Sequence, residues 1–136
     1  MKKLFAVCLC IVTLFSATIT AYASDIQPYS NNVNAIDVTF SISSSGKATV
    51  YYNYIGKSGI TKKAEIVTKV QKKVGLIWVT VNGGSWTDKS KSTSFSKSHS
   101  VQLSSKGTYR AHVVFTISGT GGSDDKITKN VKKAYS

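Results

Sequence analysis

Two histidines, His99 and His112, and six carboxylates, Asp25, Asp37, Glu65, Asp88, Asp124 and Asp125, are the side chains best suited to acid–base work. An enzyme needs such a group beside a positioned nucleophile, a second carboxyl or a metal. His112 alternates outward along its segment and His99 sits in a serine-rich stretch. Neither has a carboxylate close in sequence or a Gly-x-Ser-x-Gly turn to present a serine. Glycosidase chemistry requires two carboxyls facing one sugar, whereas the adjacent pair Asp124-Asp125 shares one glycine-rich loop and repels. That pair reads as a weak Ca²⁺ site or as a solvated hairpin loop. The missing one-residue alternation of a Ca²⁺ loop favours the loop. No catalytic residue, metal-ligand set or cofactor is expected.

The first residues belong to a different object. Met1-Lys2-Lys3 is a charged start, Leu4 to Ala17 is almost continuously apolar, and Ala21-Tyr22-Ala23 is a small-x-small pattern before Ser24. That is the grammar of a secretory leader over residues 1–23, and its apolar run is shorter than a membrane span of ~20 residues. Cys8 and Cys10 leave with it, so the product is expected to carry no disulfide, thiol nucleophile or cysteine metal site. No transmembrane segment is expected in the mature chain, and its location is outside the cell, held to the wall only by charge.

Any chemistry must therefore be positioned by the chain beyond Ala23. Residues 24–33, with Pro28 and Asn31-Asn32, show no apolar period and read as a loose leader into a single domain over residues 34–136. Ile36, Val38, Phe40 and Ile42 then alternate with polar residues, and Ala48, Val50, Tyr52 and Tyr54 repeat the pattern after a Ser-Gly turn. Ala64, Ile66, Thr68 and Val70 form a third period-two face opposite Lys63, Glu65, Val67, Lys69 and Gln71, where spacing outweighs the helix-forming composition. Lys72 to Gly75 read as a turn into a strand from Leu76 to Val81, ended by Asn82-Gly83-Gly84; Trp78 in it faces either core or solvent. Ser85 to Ser100 reads as a polar connection leading into a strand at Val101 and Leu103, and Tyr109 to Ile117 and Ile127 to Tyr135 complete the set. About seven short antiparallel strands with turn residues between them indicate an all-β sandwich.

Within Leu103-Ser104-Ser105-Lys106-Gly107-Thr108-Tyr109 the chain resembles the tyrosine corner of immunoglobulin-like and fibronectin type III domains. There a Leu ends one strand, a Gly turns, and a Tyr bonds its hydroxyl back to upstream main chain. The resemblance implies that Leu103, Gly107 and Tyr109 are structural. With Gly46 to Val50, the Lys-rich segment at Gln71-Lys72-Lys73 and the leader, the chain is similar over residues 34–135 to small secreted immunoglobulin-like proteins of low-GC Gram-positive bacteria. A fold of this kind specifies no reaction.

The remaining signal is charge. Loss of Lys2 and Lys3 takes the net charge from +12 to +10, against roughly 2 to 8 for an ordinary small domain. Every remaining basic residue except Arg110 is Lys. Lysine is a hydrated point charge, whereas arginine makes the bidentate forks of base recognition, so specific nucleic-acid binding is not expected. In the usual sandwich order the third, fourth, sixth and seventh strands share a sheet. Residues 60–81 and 109–136, which that sheet would contain, hold +7 of the charge. The candidate polyanion-binding residues are Lys63, Lys69, Lys72, Lys73 and Arg110, with Tyr51, Tyr54 and Trp86 as possible sugar-stacking partners. The expected partners are anionic cell-wall polymers, acidic polysaccharide or lipid head groups. A cationic antibacterial or toxin-like protein acting on membranes is the alternative, and it requires an apolar face exposed to lipid. A subunit polymerising through sheet edges is a third reading, opposed by lysines on the last strand.

Overall fold

Period-two alternation becomes seven antiparallel strands: β1 (Val33–Ile42), β2 (Lys47–Gly56), β3 (Thr61–Val74), β4 (Ile77–Ser90), β5 (Ser94–Gln102), β6 (Gly107–Gly119) and β7 (Asp125–Tyr135). The computed structural model describes residues 30–136, so the expected leader, its cleavage at Ser24 and residues 24–29 lie outside the described residues. The strands form two sheets, ordered β1-β2-β5 and β4-β3-β6-β7, so the third, fourth, sixth and seventh strands share a sheet as expected. Among the described residues no helix is long and apolar enough to cross a membrane.

Inner faces of the two sheets supply the core. Ile36 and Phe40 from β1, Val50, Tyr52 and Tyr54 from β2, Ile66 and Val70 from β3, and Val113, Phe115 and Ile117 from β6 are buried together. Tyr52 meets Phe115 edge to face, with ring centroids 5.7 Å apart, an arrangement in which positive ring edge meets negative ring face. Tyr109 is buried, and its hydroxyl donates to the Ser105 carbonyl four residues upstream at 2.5 Å. The expected corner is present, with Leu103 buried and bonded through its N–H to the Gly46 carbonyl.

Several boundaries differ from those the sequence predicts. Residues 32 and 33 are not loose: Asn32 and Val33 are fully buried, and Val33 opens β1. The turn expected at Lys72 to Gly75 lies further on, because β3 runs to Val74 and only Gly75 and Leu76 separate it from β4. Gly75 takes φ 63° at the first central position, the conformation of a two-residue II′ hairpin. Asn82-Gly83-Gly84 does not end β4. Lys69 pairs with Ser85 and Gln71 with Thr80, so residues 81–84 stand opposite Val70 alone as a bulge. Gly83 adopts φ 73°, and a Cβ on Gly84 would lie 2.5 Å from the Val81 side chain. The polar stretch from Ser85 to Ser100 is not a connection either; it forms the rest of β4 and most of β5.

Candidate functional site

Pairing across the four-stranded sheet fixes which side chains share its outer face. One row runs Thr80, Gln71, Arg110, Lys132; the next runs Ser85, Lys69, His112, Asn130. Lys73 pairs with Trp78 on β4 at the hairpin end. Directly paired residues in neighbouring strands lie ~5 Å apart, so the potentials of their charges add.

Arg110 and Trp78 form the most ordered part. Arg110 Nε donates to Gln71 Oε1 at 2.8 Å, and Gln71 Nε2 donates to Thr80 Oγ1 at 3.3 Å. This relay holds the guanidinium over Trp78, 4.5 Å from the ring centroid, while Lys132 Nζ lies 5.8 Å from the same ring. Trp78, whose orientation is open in the sequence, is thus a half-buried outer-face residue between two cations. With Lys69 and Lys73 it makes a lower patch in which no row contains an Asp or Glu.

Four of the five expected polyanion-binding residues lie on this face, and Lys72 does not. Because β3 extends to Val74, Lys72 falls in phase with the inward residues Thr68 and Val70 and reaches towards the lower rim of the core. Its Nζ lies 6.0 Å from the Tyr109 ring centroid and donates to Ser105 Oγ at 2.7 Å. Lys63 faces outward but stands six residues from Lys69, ~20 Å along a strand and beyond a Debye length of ~8 Å. It lines a shallow groove of about 480 Å³ with Lys89 and Lys91, where Glu65 and Asp124 offset their charge. Glu65 and Lys89 form an exposed pair at 3.9 Å, of a kind that contributes little to stability.

A second constellation escapes the sequence reading. At the open side of the sandwich, edge strands β4 and β5 bring Asp88 and His99 together, with Nε2 2.6 Å from Oδ2. Tyr52 donates its hydroxyl to Asp88 Oδ2 at 2.7 Å, and Lys97 Nζ donates to Oδ1 at 3.0 Å. Trp86 stacks on the His99 ring at 4.7 Å, and the histidine is a partly buried rim residue between the edge strands. Burial alone would raise the Asp88 pKa; hydrogen bonds from His99, Tyr52 and Lys97, with the charge on His99, outweigh it and hold the carboxyl below its usual range. Burial, followed by the Asp88 hydrogen bond and charge, pushes the Tyr52 hydroxyl above the ordinary phenol range and keeps it a donor. Three donors already occupy this carboxylate, which therefore works as a clasp between sheets. Tyr54 extends the clasp, bonding Ser90 Oγ at 3.0 Å and the Ser92 carbonyl at 2.8 Å. Two of the three expected stacking residues are thus engaged: Tyr54 is buried, Trp86 lies against His99, and Tyr51 is exposed.

Asp124 and Asp125 part company. Asp125 is buried, accepting the Asn31 N–H at 2.9 Å and the Asn32 N–H at 2.6 Å on its two oxygens. It is therefore not the solvated loop residue expected, and no cluster of three or more metal-binding side chains occurs among the described residues. His112 lies on the outer face as expected, with Nδ1 2.7 Å from Asn130 Oδ1. No protein-family model, curated protein or solved structure matches the chain.

Proposed function

We propose that this protein is an exported, non-enzymatic binding module that adheres to anionic polymers of a cell envelope or matrix through the lower outer face of its four-stranded sheet. The observation carrying this reading is the stacking of Arg110 and Lys132 on Trp78, with Lys73 as the direct strand partner of that residue and Lys69 in the row beside Arg110, without an acid in the same rows. Arg110 is held in place by Gln71 before any ligand arrives, so little side-chain freedom is lost on binding. Export rests on the leader motif of residues 1–23. Lysine dominance fits a diffuse polyphosphate or polycarboxylate chain better than a shaped small molecule.

The test is retention on immobilised polyphosphate and on isolated Gram-positive walls with and without their phosphopolymers. Retention is expected to fall steeply between low salt and about half-molar, since screening shortens the reach of each charge. Lys69→Glu, Lys73→Glu and Lys132→Glu together should abolish retention, while Lys62→Glu, Lys63→Glu and Lys91→Glu should weaken it much less. Equal loss in both triple variants, or salt-independent retention, would overturn the reading. An exposed apolar apex beside the same patch favours one particular anionic surface.

A further inference from the structure

The β3–β4 hairpin extends an apolar apex from the lower end of the sandwich. Leu76 at the turn is 96% exposed, Ile77 62%, Val74 52% and Val79 44%. Leu76 and Ile77 form the tip, while Val74 and Val79 border a groove shared with Lys72, Leu103 and Ser105. Isolated exposed apolar side chains are ordinary, whereas a contiguous group at one projecting turn marks an interaction surface. Directly behind Val74 and Ile77 comes the Lys73–Trp78 pair, and two residues further the row of Gln71, Arg110 and Lys132. At ~3.3 Å per strand residue, the apolar cap is ~7 Å deep before the tryptophan and its cations begin.

The loops and strand ends at this end contribute Lys72, Lys73, Lys106, Arg110, Lys132 and Lys133, and residues 71–79, 102–110 and 131–136 contain no Asp or Glu. An apolar tip, an amphipathic indole and a cationic collar in that order match the layers of a membrane surface. Acyl chains meet aliphatic side chains, the head-group boundary takes Trp, and lipid phosphates meet Lys and Arg. Interfacial elements bury their apolar side ~5–10 Å, the depth of this cap.

We propose that the β3–β4 hairpin is a shallow membrane anchor, by which the protein docks end-on to an anionic lipid bilayer. The inference rests on the cationic-patch reading for its electrostatic part and adds the apolar apex as the element that selects a bilayer over a soluble polymer. A wall polymer offers no acyl region for Leu76 and Ile77. A second copy of this chain would bring one cationic collar against another.

The experiment uses the chain from Ser24 onward, which contains the whole sandwich and no cysteine. Leu76→Cys and, as a control on the opposite end, Ser58→Cys are labelled with an environment-sensitive fluorophore and mixed with vesicles of phosphatidylcholine alone or with about 30% phosphatidylglycerol, enough anionic lipid to attract a basic patch. A blue shift at position 76 only, and only with the anionic vesicles, is expected. The double variant Leu76→Ser/Ile77→Ser should lose at least about tenfold in vesicle co-sedimentation while keeping its retention on polyphosphate. Undiminished vesicle binding by that variant, or equal shifts at both labels, would overturn the anchor and leave polymer binding intact. Loss of polyphosphate retention on reversing Lys62, Lys63 and Lys91 would instead strike the patch reading alone. Sedimentation equilibrium showing a wild-type dimer that the double variant dissolves would assign the apex to self-association and reject the bilayer.

Discussion

The two ends of the sandwich solve opposite problems with the same residue types. At the upper end polar groups are consumed internally. Asp125 binds the N–H groups of Asn31 and Asn32, and Asn32 in turn bonds the Ser123 carbonyl at 3.0 Å and the Gly121 N–H at 3.0 Å. Thr61 donates to the Asn32 carbonyl and accepts from the Lys57 N–H, while Lys57 Nζ reaches the Ser30 carbonyl at 2.7 Å. Backbones approach so closely there that a Cβ on Gly119 would lie 2.2 Å from the Ile60 carbonyl oxygen. At the lower end Tyr109, Lys72, Gln102, Leu103 and Ser43 tie loops to strands, but the tip of the β3–β4 apex at Leu76 is left 96% exposed. A buried, saturated end is a structural device; an exposed end of one charge sign is available for a partner.

That contrast predicts a gradient of mutational cost. Asp125→Ala should be the most damaging, at about 3 kcal/mol, because one buried and one part-buried main-chain donor lose a charged acceptor. Chemical denaturation checks it, and a loss below about 1 kcal/mol would show that the upper end is not closed by this carboxylate. Asp88→Asn should cost about 2 kcal/mol at neutral pH. Since folding lowers the Asp88 pKa, its contribution is fully present above the unfolded value near pH ~4 and is lost as pH falls through the folded value. The gap between wild type and variant should therefore be full at about pH 6 and close below about pH 4 in parallel unfolding curves. A gap that widens in acid would contradict the sign. Tyr109→Phe, the lower end's own fastener, should cost ~1–2 kcal/mol in the same assay by stranding the Ser105 carbonyl. Leu76→Ser should change stability by less than about 0.5 kcal/mol, as expected where a side chain meets only water. A larger loss would mean that the apex supports the fold and would erase the distinction between the ends.

The strands with apolar inner faces, β1, β2, β3 and β6, are legible from period two alone, whereas the grouping of strands into sheets follows only once the usual sandwich order is assumed. Leu103, Gly107 and Tyr109 are legible because the corner is local in sequence. β5 and the second half of β4 are not. Their inward positions include Asp88, Ser90 and His99, whose partners lie on other strands, so the polarity that compensates across the sandwich resembles a linker in one dimension. Lys72 and Lys73 read as one basic turn, but extending β3 by three residues places them on opposite faces. The acid-poor lower patch is only partly legible: total charge on the sheet is a matter of counting, whereas the separation of Lys63 from Lys69 and the stacking of Arg110 on Trp78 depend on register.

The bond from Asp125 to the Asn32 N–H joins residues 93 apart in the chain, uniting the threshold of the first strand with that of the last. A ribosome delivers the Asn32 side of this latch first, so the latch is missing until β7 has emerged. Pairing of β1 with β2 can form early, while the closing of the upper end waits for β6 and β7. Closing so large a loop is entropically slow as well as late. The sandwich consequently stays unlatched until β7 is in place, and it acquires its final rigidity only with that strand.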